Sequence, residues 1–143
     1  MSLYSIALFI HVAGAVLVFV LLTIEGFGPR AGANLNRFLG PISAVAVLIP
    51  GFYMASQTGW HAWTATGLVS YVLIAVVGAY TGVNVMRGRM SATPARVSWL
   101  ARIGLAAGVL FDMTVKPDAL LSVVAVLVCV AVALPTVRLV RAA

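Results

Sequence analysis

The chain has 143 residues, of which 63% are hydrophobic and only 8% charged, with a formal net charge of +6 and a mean hydropathy of +1.13. A soluble domain carries about 25% charged residues, so a mainly water-facing surface is excluded and lipid must cover much of this one. The positive charge does not point to nucleic acid, because the arginines sit in short connections between apolar runs, where they orient helices.

A spanning helix needs roughly 20 apolar residues. The first predicted span is Leu3–Thr23, ending at Glu25-Gly26. Met1 to Tyr4 carry no Lys or Arg, and the apolar run from Leu3 to Leu22 exceeds a signal h-region of about 7–15 residues, so it reads as a retained span. Gly28-Pro29-Arg30 and Asn34-Leu35-Asn36 read as a polar, turn-rich connection. The second span is expected from about Phe38 to Ser56, with Gly40-Pro41 in its first turn and Pro50-Gly51 inside it. Pro50 has no N–H for the Ala46 carbonyl, so a kink is expected there.

Trp60, His61 and Trp63 form an interfacial aromatic cluster before a third span, about Ala65–Met86. Arg87-Gly88-Arg89 closes it. Thr93-Pro94 reads as an N-cap followed by proline at the first helical position. The fourth helix then runs to Lys116, stopped by Pro117, and Asp118 caps a fifth, about Ala119–Leu139.

Under this count Arg30, Arg37, Arg87, Arg89, Arg96, Arg102, Arg138 and Arg141 fall on one side and Lys116 alone on the other. Positive residues favour the cytoplasmic side. The expected fold is therefore all-α: one domain over 1–143, a polytopic bundle of five spans. Its N-terminus is outside and its C-terminus cytoplasmic, in a bacterial cytoplasmic (inner) membrane.

Ionisable groups inside spans cost about 2.5–3.5 kcal/mol on insertion scales, so each is a functional candidate. His11 lies eight residues in from Leu3, about 12 Å deep at 1.5 Å per residue. Small neighbours on its face, Ala7, Gly14 and Ala15, leave room for a flat ligand or for a closely packed helix. Asp112 and Lys116 are four apart, able to pair along the fourth helix. His11, Asp112 and Lys116 are expected to share one cavity and are the candidate cofactor-binding set. His11, Met54 and Met113 are the candidate metal set, since thioethers suit haem iron or Cu(I). His61 reads as an interfacial residue.

Gly78-x-x-x-Gly82 and Gly104-x-x-x-Gly108 permit close backbone approach. These glycines are expected to serve packing, within the chain or against a membrane-protein partner or second copy. Cys129 stands alone in an apolar run, and the C-x-x-C-H spacing for covalent haem attachment does not occur. The glycines of Gly26–Gly32 lack the strand context of a phosphate loop.

His11-Val-Ala-Gly14 and Met113-Thr-Val-Lys-Pro117 carry a resemblance. The chain resembles a small bacterial multi-helix membrane family of unknown function, remotely similar to CopD-type copper-resistance membrane domains and HemJ-type protoporphyrinogen oxidases. The resemblance implies a haem-binding role for His11 and a characteristic lysine at Lys116. The third span contains no histidine, and a further helix follows Lys116-Pro117.

The leading functional expectation is a small redox-type membrane protein holding haem b or a similar prosthetic group between the first and fourth helices. The alternatives are a non-catalytic accessory subunit of a larger membrane complex and a copper- or proton-handling transporter. Whether any catalysis occurs is left open.

Overall fold

A computed structural model describes residues 2–136 as five helices: α1 (Leu3–Phe27), α2 (Pro29–Thr58), α3 (Ala62–Met86), α4 (Ala92–Val115) and α5 (Ala119–Ala133). The first four are long and apolar enough to cross a membrane, and α5 is a shorter apolar helix. The fifth helix, expected to run to Leu139, ends at Ala133 before a turn at Leu134-Pro135, since Pro135 cannot continue its hydrogen bonding. Arg138, Leu139 and Arg141 lie outside the described residues. Large apolar side chains face outward, Phe9 at 74% and Leu120 at 76% exposure among them. Small residues make up much of the interior, alongside Leu21, Leu22, Ile74 and Leu100. This is the inversion expected when lipid tails replace water and close packing holds helices together.

The clearest correction concerns α1 and α2. Residues 29–37, expected as a connection, are helical, and Gly28 alone separates the two helices. Pro29 explains the reversal, because its fixed φ and missing N–H suit the first position of a helix. Gly28 is extended and its N–H caps the Ile24 carbonyl at 3.0 Å. Gly32 and Ala33 are buried while Arg30, Asn34 and Arg37 are exposed, so the segment is amphipathic. α2 consequently contains Pro41 well inside it, along with Pro50, and it continues through both as one α-helix.

Other boundaries lie closer to expectation. Asp118 caps α5 through Oδ1, which accepts from the Leu121 N–H at 2.9 Å. α4 begins one residue before the predicted cap, with Ser91 in the cap position and Pro94 in the first turn. Lys116 leaves α4 in the left-handed region, φ 53°, ψ 54°.

Side-chain seats fix the register of each neighbouring pair. Gly14 meets Ala46 and Gly51 meets His11, so α1 and α2 are antiparallel. Gly67 meets Met113 and Gly78 meets Arg102, pairing α3 with α4 in the same sense. Gly104, Gly108 and Asp112 follow one face of α4, where the glycines meet Val130 and Val126 of α5. Alternating directions gather Arg30, Arg37, Arg87, Arg89 and Arg96 at one end of the bundle. Trp60, His61, Trp63 and Lys116 lie at the other.

These seats differ in how much space they leave. A Cβ on Gly108 would lie 2.7 Å from the Val126 Cα, whereas on Gly82 the nearest atom is 3.9 Å away. Gly108→Ala should destabilise the protein by about 1–3 kcal/mol, the usual overpacking range. Gly82→Ala should be neutral or should stabilise by up to about 1 kcal/mol through helix propensity. Thermal unfolding of the two variants in the same detergent checks the contrast.

Candidate functional site

Arg102 lies ten residues into α4, in the apolar sequence Leu100-Ala-Arg-Ile-Gly-Leu, and is only 1% exposed. A buried guanidinium requires a counter-charge and several acceptors. Glu25, near the end of α1, supplies both. Arg102 Nη1 donates to Glu25 Oε2 at 2.9 Å, Nη2 donates to Oε1, and Nε donates to the Ser98 carbonyl at 3.3 Å. The two-pronged geometry matches the planar fork of arginine to both carboxylate oxygens.

Local packing holds this pair in place from three sides. Trp99, one turn before Arg102, donates its indole N–H to the Leu22 carbonyl at 2.7 Å and lies over Gly26. A Cβ on Gly32 would come within 2.5 Å of the Glu25 Cα, and one on Gly78 within 3.1 Å of Arg102 Nη1. The glycines therefore admit the carboxylate stem and the guanidinium. Thr81 of α3 and Ser98 of α4 share a 2.6 Å hydrogen bond just beyond.

The pair borders an open cavity of about 370 Å³ lined by α1, α2, α3 and the Arg102 side chain of α4. Val18, Leu21, Ile74 and Ala75 make much of its wall apolar, and Asn36, Ser43 and Tyr71 add neutral polar groups. Glu25 and Arg102 cancel in charge. Arg37 also lines the cavity, is exposed, and places its guanidinium 5.8 Å from the Phe38 ring centre. The cavity thus carries one uncompensated positive charge at the arginine-bearing end of the bundle. Pro41 on its wall has no N–H to offer the Arg37 carbonyl.

The sequence-predicted residues are distributed differently from the shared cavity expected of them. His11 is half-buried against α2: Nδ1 is 2.8 Å from the Val47 carbonyl, and the ring lies on Gly51. Asp112 is fully buried beside Ser122 of α5. The Lys116 ammonium sits 5.6 Å from the Trp63 ring centre on α3. Three residues engage three different helices. Lys116 does not continue the helical spacing that would pair it with Asp112, because its backbone turns left-handed before Pro117. His61 stacks on Trp63 at 5.9 Å, in the interfacial cluster.

The bond to the Val47 carbonyl engages His11 Nδ1 and leaves Nε2 as the ring nitrogen able to act as a ligand. Among the metal candidates, Met113 is seated on Gly67 of α3, while Met54 is half-buried on α2. Among the described residues, no group of three or more His, Cys, Asp and Glu side chains could hold a metal ion. Gly104 and Gly108 meet α5, Gly78 meets Arg102, and Gly82 faces Ala33 at ordinary distance, so these glycine faces are used within the chain.

Glu25 and Arg102 were not among the sequence candidates, and Arg102 had been counted with the orienting arginines. A signal was present. The chain has three acidic residues, and an arginine deep in an apolar run must find one of them. Asp112 is ten positions further along the same helix and Asp118 lies beyond its end, which leaves Glu25.

No protein-family model matches the chain, and no curated protein or solved structure matches it.

Breaking a buried ion pair leaves an uncompensated charge. Glu25→Gln or Arg102→Met alone should destabilise the fold by about 3–5 kcal/mol, while the double variant should recover most of that loss. A double-mutant cycle on unfolding free energies measures the coupling; additive losses would show that the pair acts as two independent groups.

Proposed function

We propose that this protein is a small, multi-pass binding protein of the bacterial cytoplasmic membrane, which holds an anionic amphiphile in the cavity beside Glu25 and Arg102. The anionic head lies at Arg37 and the apolar body against Val18, Leu21 and Ile74. The carrying observation is the combination of a mostly apolar lining with one unbalanced positive charge among its residues. An anion is favoured by that charge, and an apolar body by the wall. Binding suits the site better than acid–base chemistry, because both Glu25 oxygens are already engaged by Arg102.

The arginine-bearing end lies in the cytoplasm in this reading. Arg30, Arg37, Arg87, Arg89 and Arg96 share that end, against Lys116 at the other. Arg102 no longer contributes to the count, because it is neutralised inside the bundle. The cavity mouth then meets the inner leaflet at headgroup level, where an anionic lipid or fatty acid is available.

Native mass spectrometry of the protein extracted with its surrounding bilayer tests the binding. The wild type should retain one anionic amphiphile enriched over the bulk lipid. Arg37→Gln should lower that occupancy about tenfold, the order expected for one charge-assisted contact of roughly 1.5 kcal/mol. A retained lipid profile identical to the bulk would overturn the proposal. So would a Soret band that disappears in His11→Ala, which would return the protein to the redox reading. For orientation, single cysteines replacing Trp60 and Thr93 should be labelled from outside intact cells at position 60 and not at 93.

A further inference from the structure

We propose that Asp112 and Ser122 form a proton-binding site that fastens α5 to α4. The two residues lie in register with a tight seam. Along α4, Gly104 lies against Val130 and Gly108 against Val126, and Asp112 comes next, opposite Ser122. A Cβ at either glycine would fall within 2.7 Å of the α5 backbone. The two helices therefore approach closely along this face, and the last pair in it is polar.

Both side chains are fully buried, at 0% exposure. Ser122 approaches the carboxyl, yet neither Asp112 oxygen nor the Ser122 hydroxyl completes a hydrogen bond. A buried carboxylate without a donor is among the most unfavourable groups a fold can contain. Its charged neighbours do not relieve it. Lys116 is one turn further along α4 but is exposed, with its ammonium over Trp63. Asp118 at the start of α5 is exposed and bonded to the Leu121 N–H. From α1, His11 is committed to Val47; the α3 contact at Met113 is Gly67, which has no charge.

The ligand that satisfies this pair must supply a donor without occupying space. A metal ion would need further oxygens and room, and the glycine seam leaves little. A proton needs neither. Bound to Asp112, it converts the carboxylate into an acid whose O–H donates to Ser122 Oγ. Losing it places a bare charge inside the seam and drives α4 and α5 apart. Proton binding thereby couples to the contact between α4 and its C-terminal neighbour, independently of the amphiphile cavity, which α5 does not line.

Infrared spectroscopy of the full chain in nanodiscs tests the proton directly. At neutral pH the wild type should show a protonated-carboxyl C=O band that is lost in Asp112→Asn. The absence of any such Asp112-dependent band would mean an ionised carboxylate and would overturn the site. Linkage supplies a second readout, since a native state that holds a proton released on unfolding loses stability as pH rises. The wild-type melting temperature should fall from mildly acid to mildly alkaline buffer, and Asp112→Asn, which keeps the shape without the titration, should be flat across the same range. Equal slopes for the two proteins would refute the coupling. Neither readout depends on the occupancy of the cavity, so failure here and failure of the amphiphile reading are distinguishable.

Discussion

An arginine in the middle of an apolar helix cannot be left without an acid, and the Glu25–Arg102 contact meets that requirement for this bundle. Compared with apolar side chains of similar volume, such a pair adds little net stability. Its consequence is selectivity. Only the arrangement that brings α4 alongside α1, with Arg102 level with Glu25, avoids a buried single charge. Trp99 reinforces the same alignment by bonding to the Leu22 carbonyl, and Leu22, Ile74 and Ala106 close the apolar core behind it. The α1–α4 contact is small beside those of the sequential helix pairs, yet it carries the most specific interactions in the chain.

The cavity follows from the same constraint. Holding Arg102 against Glu25 requires glycine at positions 32 and 78, and small or polar residues on the adjoining faces of α2 and α3. Side chains that would fill the space between those helices are thus missing where the charge pair needs clearance. Pro41 adds to the effect by removing one helical donor on the cavity wall. A mainly apolar cavity with a few polar groups and the Arg37 guanidinium is the by-product.

Much of the architecture was legible in composition and hydropathy. Four long apolar helices, the cap at Asp118 and the tryptophan cluster beside the third helix all follow from periodic apolarity, helix-end chemistry and interfacial aromatics. The α1–α2 connection was not legible, because Gly28, Pro29, Gly32 and the two asparagines have loop propensities individually. Their tertiary partners decide otherwise: Gly32 is there for Glu25, and Pro29 starts the helix it was expected to precede. The site was legible only in part. His11 stood out as an isolated deep histidine, and its small neighbours did signal close packing, which α2 provides at Val47 and Gly51. Periodicity along one helix suggested that Asp112 and Lys116 would pair, but it carries no information on which neighbouring helix each side chain meets. Arg102 was hidden by an orientation rule that counts arginines by sequence neighbourhood, without asking how deep each one lies.

Glu25 and Arg102 are 77 positions apart, and that interval has a meaning during synthesis. At about 5–20 residues per second, translation leaves on the order of 4–15 s between the emergence of the acid and that of its arginine. The helical hairpin of α1 and α2, joined through Gly28, is complete well before α4 arrives. Glu25, two residues from the end of α1, can spend that time hydrated. Desolvation of the carboxylate is thereby deferred to the moment α4 docks and its arginine arrives.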